Sequence, residues 1–211
     1  MKTITKITRQ QNGERYNIFL DEAFFCGVTE DTLIRLGLKK GMKIDEADLE
    51  KLEQEESKNR CFSYAIYLLG RQTYFERVLI EKLKRKEYSE EDITYTIEKL
   101  KYYNYLDDSQ LAEAFVRDKK RFSKKGPRYI KEALRNKGVS QEQITKALEE
   151  NYSDEEAYEN CIGIGRKKLE YYKKKTEDLY QLKGKKYAFL AQRGFSSDVI
   201  RRVIEELTRE E

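Results

Sequence analysis

One pattern occurs three times in this chain at nearly fixed spacing. Residues 83–93, 134–144 and 190–200 each read leucine, a basic residue three positions on, an apolar residue, a serine and an isoleucine. Leucine and isoleucine stand ten residues apart in every copy, and the copies lie 51 and 56 residues apart. A period near 50 residues restricts the chain to a row of related units. Each unit is near the lower size limit for folding alone, so stacking on a neighbour must supply the missing burial. A surface built this way is more often a binding surface than a catalytic pocket.

The residue types within each copy mark helix boundaries. Ser89, Ser140 and Ser196 stand where a side-chain oxygen accepts a free N–H of a first helical turn. Asp92 and Gln143, three residues on, approach a capping box. Ile93, Ile97 and Leu100, then Ile144 and Leu148, then Ile200, Ile204 and Leu207 follow at helical spacing, one apolar stripe per helix. The preceding helices end near Lys86, Lys137 and Arg193. Gly138 and Gly194 are natural stops for two of them, and Glu87 holds that place in the first copy. A further helix is expected over 57–70, 109–120 and 154–175. Pro127, the one proline, follows Gly126 and fits the first turn of a helix. The expected fold class is all-α: three tandem three-helix repeats, 57–106, 107–153 and 154–211, in an elongated row. Residues 1–56 differ. Stretches 3–8 and 15–20 alternate apolar and polar side chains around Gln11-Asn12-Gly13, and Asn-Gly is a strong hairpin turn. A small N-terminal β-hairpin extension with a short helix over 30–36 completes the plan.

What the chain lacks narrows its chemistry. There is no histidine, which removes the commonest general base and metal ligand together. Cys26, Cys61 and Cys161 are odd in number and scattered, so they read as reduced thiols with no metal or disulfide spacing. Asp107-Asp108 could bind Mg²⁺, but it reads more simply as a helix start, with Asp108 or Ser109 as the cap. Gly163-Ile-Gly165 lacks the preceding strand and the remaining glycine of a nucleotide loop. The apolar stretches at 23–28 and 65–69 are far too short to span a bilayer, and the alternating N-terminus is unlike a secretory leader. The expectation is a cytoplasmic monomer, not an enzyme, with no cofactor, metal or membrane attachment.

Positive charge belongs to the repeats. Residues 1–56 carry nine bases and twelve acids; the remainder carries 34 and 27. The densest run is Arg117, Lys119, Lys120, Arg121, Lys124, Lys125, Arg128, Lys131, Arg135 and Lys137. Smaller clusters lie at Lys82, Lys84, Arg85 and Lys86, and at 173–175 with Lys183, Lys185 and Lys186. Lys86, Lys137 and Arg193 occupy equivalent positions, so repetition would set them out as a ladder. The strip from Lys119 to Arg128 reads as an exposed surface that meets a polyanion or an acidic protein face. The plain alternative is solvated helix faces in a chain that is 39% charged. Three-helix units invite comparison with base-reading DNA proteins, but the third helices expose Glu98, Glu149, Glu150, Glu205 and Glu206, which phosphate repels. Any nucleic-acid contact should therefore come from second helices and loops, target phosphate and be salt-sensitive.

Two motifs carry a family resemblance. Tyr105-Leu-Asp-Asp-Ser-Gln-Leu-Ala-Glu-Ala-Phe-Val116 and Lys125-Gly-Pro-Arg-Tyr-Ile-Lys-Glu-Ala-Leu-Arg-Asn-Lys-Gly-Val139 resemble the central motifs of the bacterial regulatory family RecX. The resemblance covers residues 57–211 as three tandem repeats and extends to the N-terminal hairpin. Repeat two matches best, and repeat three matches only in its last half. In repeat one, Asn104 stands where the family pattern has glycine. The resemblance implies a protein that lies in the groove of the RecA recombinase filament on DNA and modulates, mainly restrains, ATP hydrolysis, strand exchange and co-protease activity. It implies no catalysis, and it does not assign single residues. The binding residues inferred from charge are Lys86, Lys119, Lys120, Arg121, Lys124, Lys125, Arg128, Lys131, Arg135, Lys137 and Arg193. The competing readings are a nonspecific nucleic-acid-binding repeat protein that acts without RecA and, weakest, an enzyme.

Overall fold

The computed structural model describes residues 1–11, 15–173 and 179–209. The expected turn residues Asn12 and Gly13, and Lys174 and Lys175 of one basic cluster, lie outside the described residues. Ten helices and four strands are present among the described residues. The chain divides into two compact units. The first comprises Met1–Gln72 with Leu79–Tyr105, and the second Thr73–Val78 with Leu106–Glu211.

The first unit opens with β1 (Lys2–Arg9), β2 (Arg15–Leu20) and β3 (Ala23–Thr29), then α1 (Glu30–Arg35) and β4 (Lys43–Ile44). The expected hairpin, with Thr8 opposite Asn17 and Ile4 opposite Leu20, is the middle of an antiparallel sheet of order β3-β2-β1-β4. Strand alternation turns Ile4, Ile18, Leu20 and Val28 to one face, where they pack with Leu38, Ile44, Leu49 and Leu52. The last two belong to α2 (Glu46–Leu69), whose N-terminus is capped by the Asp45 carboxylate on the N–H of Asp48 at 2.9 Å. This helix of 24 residues runs through the expected boundary at 56 and 57. Its first half closes the sheet's core; its second half buries Cys61, Ala65 and Leu68 in repeat one. Glu56, at the join, is 2% exposed and accepts from Arg15 at 2.6 Å and from the N–H of Thr29 at 3.1 Å.

Repeat one continues with α3 (Glu76–Lys84) and α4 (Glu90–Tyr102). Ser89 caps α4 as expected, but Asp92 accepts from the Ser57 hydroxyl at 2.6 Å, which ties α4 to α2. Repeat two is α5 (Asp108–Arg121), α6 (Pro127–Asn136) and α7 (Gln141–Asn151); repeat three is α8 (Asp154–Lys173), α9 (Leu179–Gln192) and α10 (Ser197–Arg209). Ser140 and Gln143 close the full capping box, and Ser196 caps α10 by accepting the N–H of Val199. The cap of α5 is Asp107, not Asp108 or Ser109. Asp107 accepts the N–H groups of Ser109 and Gln110, while Asp108 takes the N–H of Glu76 at 2.9 Å. Gly163 and Gly165 lie inside α8, and a β-carbon at Gly165 would approach Leu207 Cδ1 at 3.3 Å, so that glycine lets α10 pack closely. The repeated residues do the same work in every copy: Leu83, Leu134 and Leu190 are at most 1% exposed, and Ile93, Ile144 and Ile200 at most 3%.

Repeats two and three share one unit through a backbone joint. The N–H of Gly126 donates to the carbonyl of Arg193 at 2.9 Å, and that of Arg128 to the carbonyl of Gly194 at 3.0 Å. Gly194 has φ +90°, and a β-carbon there would stand 2.3 Å from the backbone nitrogen of Tyr129. Gly138 repeats the device one repeat earlier: φ is +88°, and its β-carbon would meet Cβ of Arg77 at 2.6 Å. In both cases the turn after a second helix seats against the first turn of the previous second helix. No repeat precedes repeat one, and Glu87 adopts φ +62° with its side chain in solvent. Asn104, in the place of another expected glycine, takes φ +57°, a conformation asparagine tolerates.

Candidate functional site

The basic strip of repeat two is built by the end of α5, the loop after it and the exposed face of α6. Residues 119–121 fill the last turn of α5, where cations oppose the negative end of the helix. The helix ends at Arg121, and Lys124 takes φ +48° before Gly126 and Pro127 start α6. That helix is strongly amphipathic: Ile130 and Leu134 are buried, while Arg128, Lys131 and Arg135 face solvent.

The inferred binding residues separate into two groups. Lys120 is tied into the fold, donating to the carbonyl of Asn151 at 2.6 Å and to Glu156 at 2.7 Å. The Lys120 bond, and secondarily the N–H of Ser153, hold the Glu156 carboxyl below its ordinary range. Arg193 donates to the carbonyl of Ser123 at 2.9 Å, so its head group fastens repeat three to this loop. Arg135 pairs with Glu132 at 2.8 Å, and Arg117 with Asn151 at 2.9 Å and Glu113 at 3.4 Å. Arg121, Lys124, Lys125, Arg128 and Lys131 have no carboxylate within ion-pairing distance among the described residues. Lys119 lies 5.1 Å from the ring centre of Phe115 and is half-buried. The expectation of a uniformly exposed strip is thus corrected at Lys120, whose partners come from α7 and α8. Lys186, in another basic cluster, is 3% exposed and belongs to the interior.

Of the three equivalent positions, two share one local setting and one differs. Lys86 sits 5.6 Å from the ring centre of Tyr64, and Lys137 sits 5.7 Å from that of Phe115. The lysines are 51 residues apart, and so are the rings, so the repeat reproduces a cation over an aromatic face. Arg193, one residue past α9, instead lies 5.3 Å from Phe189 of that helix.

A cleft of about 400 Å³ beside the strip is lined by Arg117, Lys120, Arg121 and Lys124 with Glu156, Glu159 and Asn160. Of its two acids, Glu156 already engages the strip through Lys120. Glu98, Glu149, Glu150 and Glu205 on the third helices are exposed, which keeps those helices unsuited to phosphate. Burial pushes the Cys161 thiol up to about 12, and burial with the nearby Glu56 carboxylate does the same to Cys26. No helix among the described residues is long and apolar enough to cross a membrane.

Charge counting overlooks two aromatic rings in the strip. Phe122 is 73% exposed and Tyr129 39%. Phe122 follows Phe115 by seven residues, a spacing that reads as core. The helix outruns the core there, Val116 being its last buried residue. The available signal was the Phe itself, set within Lys-Lys-Arg-Phe-Ser-Lys-Lys.

Comparison with known proteins covers nearly the whole chain. The family model described as the regulatory protein RecX N-terminal domain matches residues 2–45. Models of the first, second and third RecX three-helix domains match 61–100, 107–148 and 154–204. A relative from Clostridium botulinum (strain Alaska E43 / Type E3), named "Regulatory protein RecX", is 33% identical over 207 residues, 98% of this chain and 96% of its own. One of the same name from Oceanobacillus iheyensis is 36% identical over 214 residues, 98% of this chain and 77% of its own. A crystal structure of a regulatory protein RecX superposes with a TM-score of 0.81 at 28% identity, covering 97% of this chain and all of the other. RecX from Lactobacillus salivarius gives 0.66 at 27% identity over 73% of this chain and 98% of its own.

Proposed function

This chain belongs to the RecX family of regulatory proteins, and from that premise we propose that it binds the RecA filament on DNA and restrains its ATPase, strand exchange and co-protease activity. The observation that carries this reading is the cluster of cations on the α5–α6 loop and α6 with no carboxylate in reach among the described residues, within the repeat that the second three-helix model of the family matches. A filament presents the same acidic faces and DNA phosphates at each subunit. Similar units in one chain engage such a lattice at several places, and every contact after the first is intramolecular. The protein acts by occupancy, without catalysis, in the cytoplasm. Its histidine-free sequence and its raised cysteine thiols support a binding role.

The test is titration of the purified chain into cognate RecA on single-stranded DNA at low salt, following ATPase and strand exchange. Inhibition of both, with no ATP hydrolysis by the chain alone, is the expected result. No change in either across a full titration would overturn the reading and leave a nucleic-acid-binding protein that acts without RecA.

A further inference from the structure

Phe122 directly follows α5 and leaves 73% of its surface in water. A single exposed aromatic ring is ordinary on a protein surface. This one is set among cations that have no carboxylate in reach among the described residues. The Arg121 guanidinium carbon lies 5.3 Å from its ring centre, and Lys124, Arg128 and Lys131 are exposed with no carboxylate in reach among the described residues. A second partly exposed ring, Tyr129, lies under the Lys125 ammonium, 3.9 Å from its centre.

We infer that the α5–α6 loop is a stacking platform for unpaired nucleotides: Phe122, aided by Tyr129, takes base faces, and the surrounding cations take phosphates. The proposal deepens the function proposed above, on which its reading of the strip as a polyanion surface rests, by naming single-stranded nucleic acid as a direct ligand of this loop. The choice of a single strand follows from what a phenylalanine ring offers. It has no donor or acceptor with which to read a base edge, and a duplex hides its base faces in the stack. In a single strand each nucleotide presents an aromatic plane beside an anion, the combination that this loop complements. Every base has such a plane, so binding is independent of sequence. An acidic protein face would satisfy the cations but gives Phe122 no flat partner. The exposed carboxylates on the third helices leave the loop as the place for such a contact in this repeat.

The experiment is fluorescence anisotropy of the full chain with a labelled 20-nucleotide oligo(dT) and with a duplex of the same length, in the absence of RecA. The wild type is expected to prefer the single strand. Phe122→Ala should weaken oligo(dT) binding by about 5- to 150-fold, the range for loss of one stacked base, and leave duplex binding nearly unchanged. Phe122→Trp should bind as the wild type does. The side chain is exposed, so thermal melts of all three should coincide. Equal oligo(dT) affinity of Phe122→Ala and wild type, or a wild-type preference for duplex, overturns the proposal. Titrating the same variants against RecA filaments separates it from the filament reading. Phe122-dependent oligo(dT) binding without any effect of the wild type on RecA keeps the platform and sinks the filament reading. Loss of filament binding by Phe122→Ala with oligo(dT) binding intact makes the loop a protein contact and sinks the platform.

Discussion

Gly138 and Gly194 hold the same place in successive repeats, and each meets two demands there. Positive φ disfavours any residue with a β-carbon, and the neighbouring repeat occupies the space that carbon would fill. Gly194→Ala should therefore cost about 2–5 kcal/mol, combining left-handed strain with overlap on Tyr129. Glu87→Ala, at the matching turn of repeat one, should stay within about 0.5 kcal/mol, because that side chain is exposed and alanine keeps the β-carbon. Urea unfolding of the two variants checks the pair, and equal losses would show that neither the positive φ nor the overlap on Tyr129 sets Gly194 apart. Glu56 is a different single-residue dependence. Its buried carboxylate accepts the Arg15 guanidinium and the Thr29 N–H together. Glu56→Ala leaves a charge and a strand N–H unmatched. The expected loss is about 3 kcal/mol, the lower end for a broken buried pair, since Arg15 reaches water. A denaturation midpoint equal to that of the wild type would contradict this.

Among elements, α8 is held to α5 by Lys120 and Glu156, so their association depends on pH. In the fold the Glu156 carboxyl titrates below its ordinary value, first because Lys120 donates to it and then because the Ser153 N–H does. Through that interval the unfolded chain binds more protons than the native one. The contribution is complete above the ordinary carboxylate range and fades as pH falls through the depressed value. The melting temperature of the wild type should exceed that of Glu156→Gln at neutral pH, and the gap should narrow as pH falls below the ordinary carboxylate range towards the depressed value of Glu156. A gap that does not change with pH would show that the ion pair contributes nothing beyond shape. The amphipathic helix α6 gives the complementary test of packing. Leu134 is wholly buried with Ile130, Val116 and Ile144, and Leu134→Ala should cost about 2–5 kcal/mol by calorimetry or urea unfolding.

At the scale of the molecule, the proposed activity depends on cations that pair with no carboxylate among the described residues. Reversing Lys124, Arg128 and Lys131 to Glu should weaken RecA filament binding and flatten its dependence on salt, because fewer counterions are released. The circular dichroism spectrum and melting temperature should hold, since none of the three pairs with a carboxylate among the described residues. Reversing Lys120 would confuse the test, because it would place a carboxylate against Glu156 and unsettle α8. Binding by the triple variant equal to that of the wild type, over a full salt series, would reduce the strip to solvated surface.

The repeats, their serine caps and the buried leucine–isoleucine pairs were legible in the sequence because each depends on residues within about ten positions. A cap meets its own first turn, and a stripe recurs at the helix's own period. The positive character of repeat two was legible for the same reason, as a matter of composition. Distant partners decided the rest. Asp92 left its capping box for Ser57, 35 residues away, and Lys120 left the strip for Glu156, 36 residues away. Strands β3 and β4 extended the hairpin because β2 and β1 each had a free edge for them to pair with. The joint at Gly126 and Gly194 forms only when two turns 68 residues apart are brought to contact distance. Sequence carries local propensity and periodicity directly. Which side chains remain free to bind is settled by what packing brings within 3 Å of them, and only the tertiary structure specifies that.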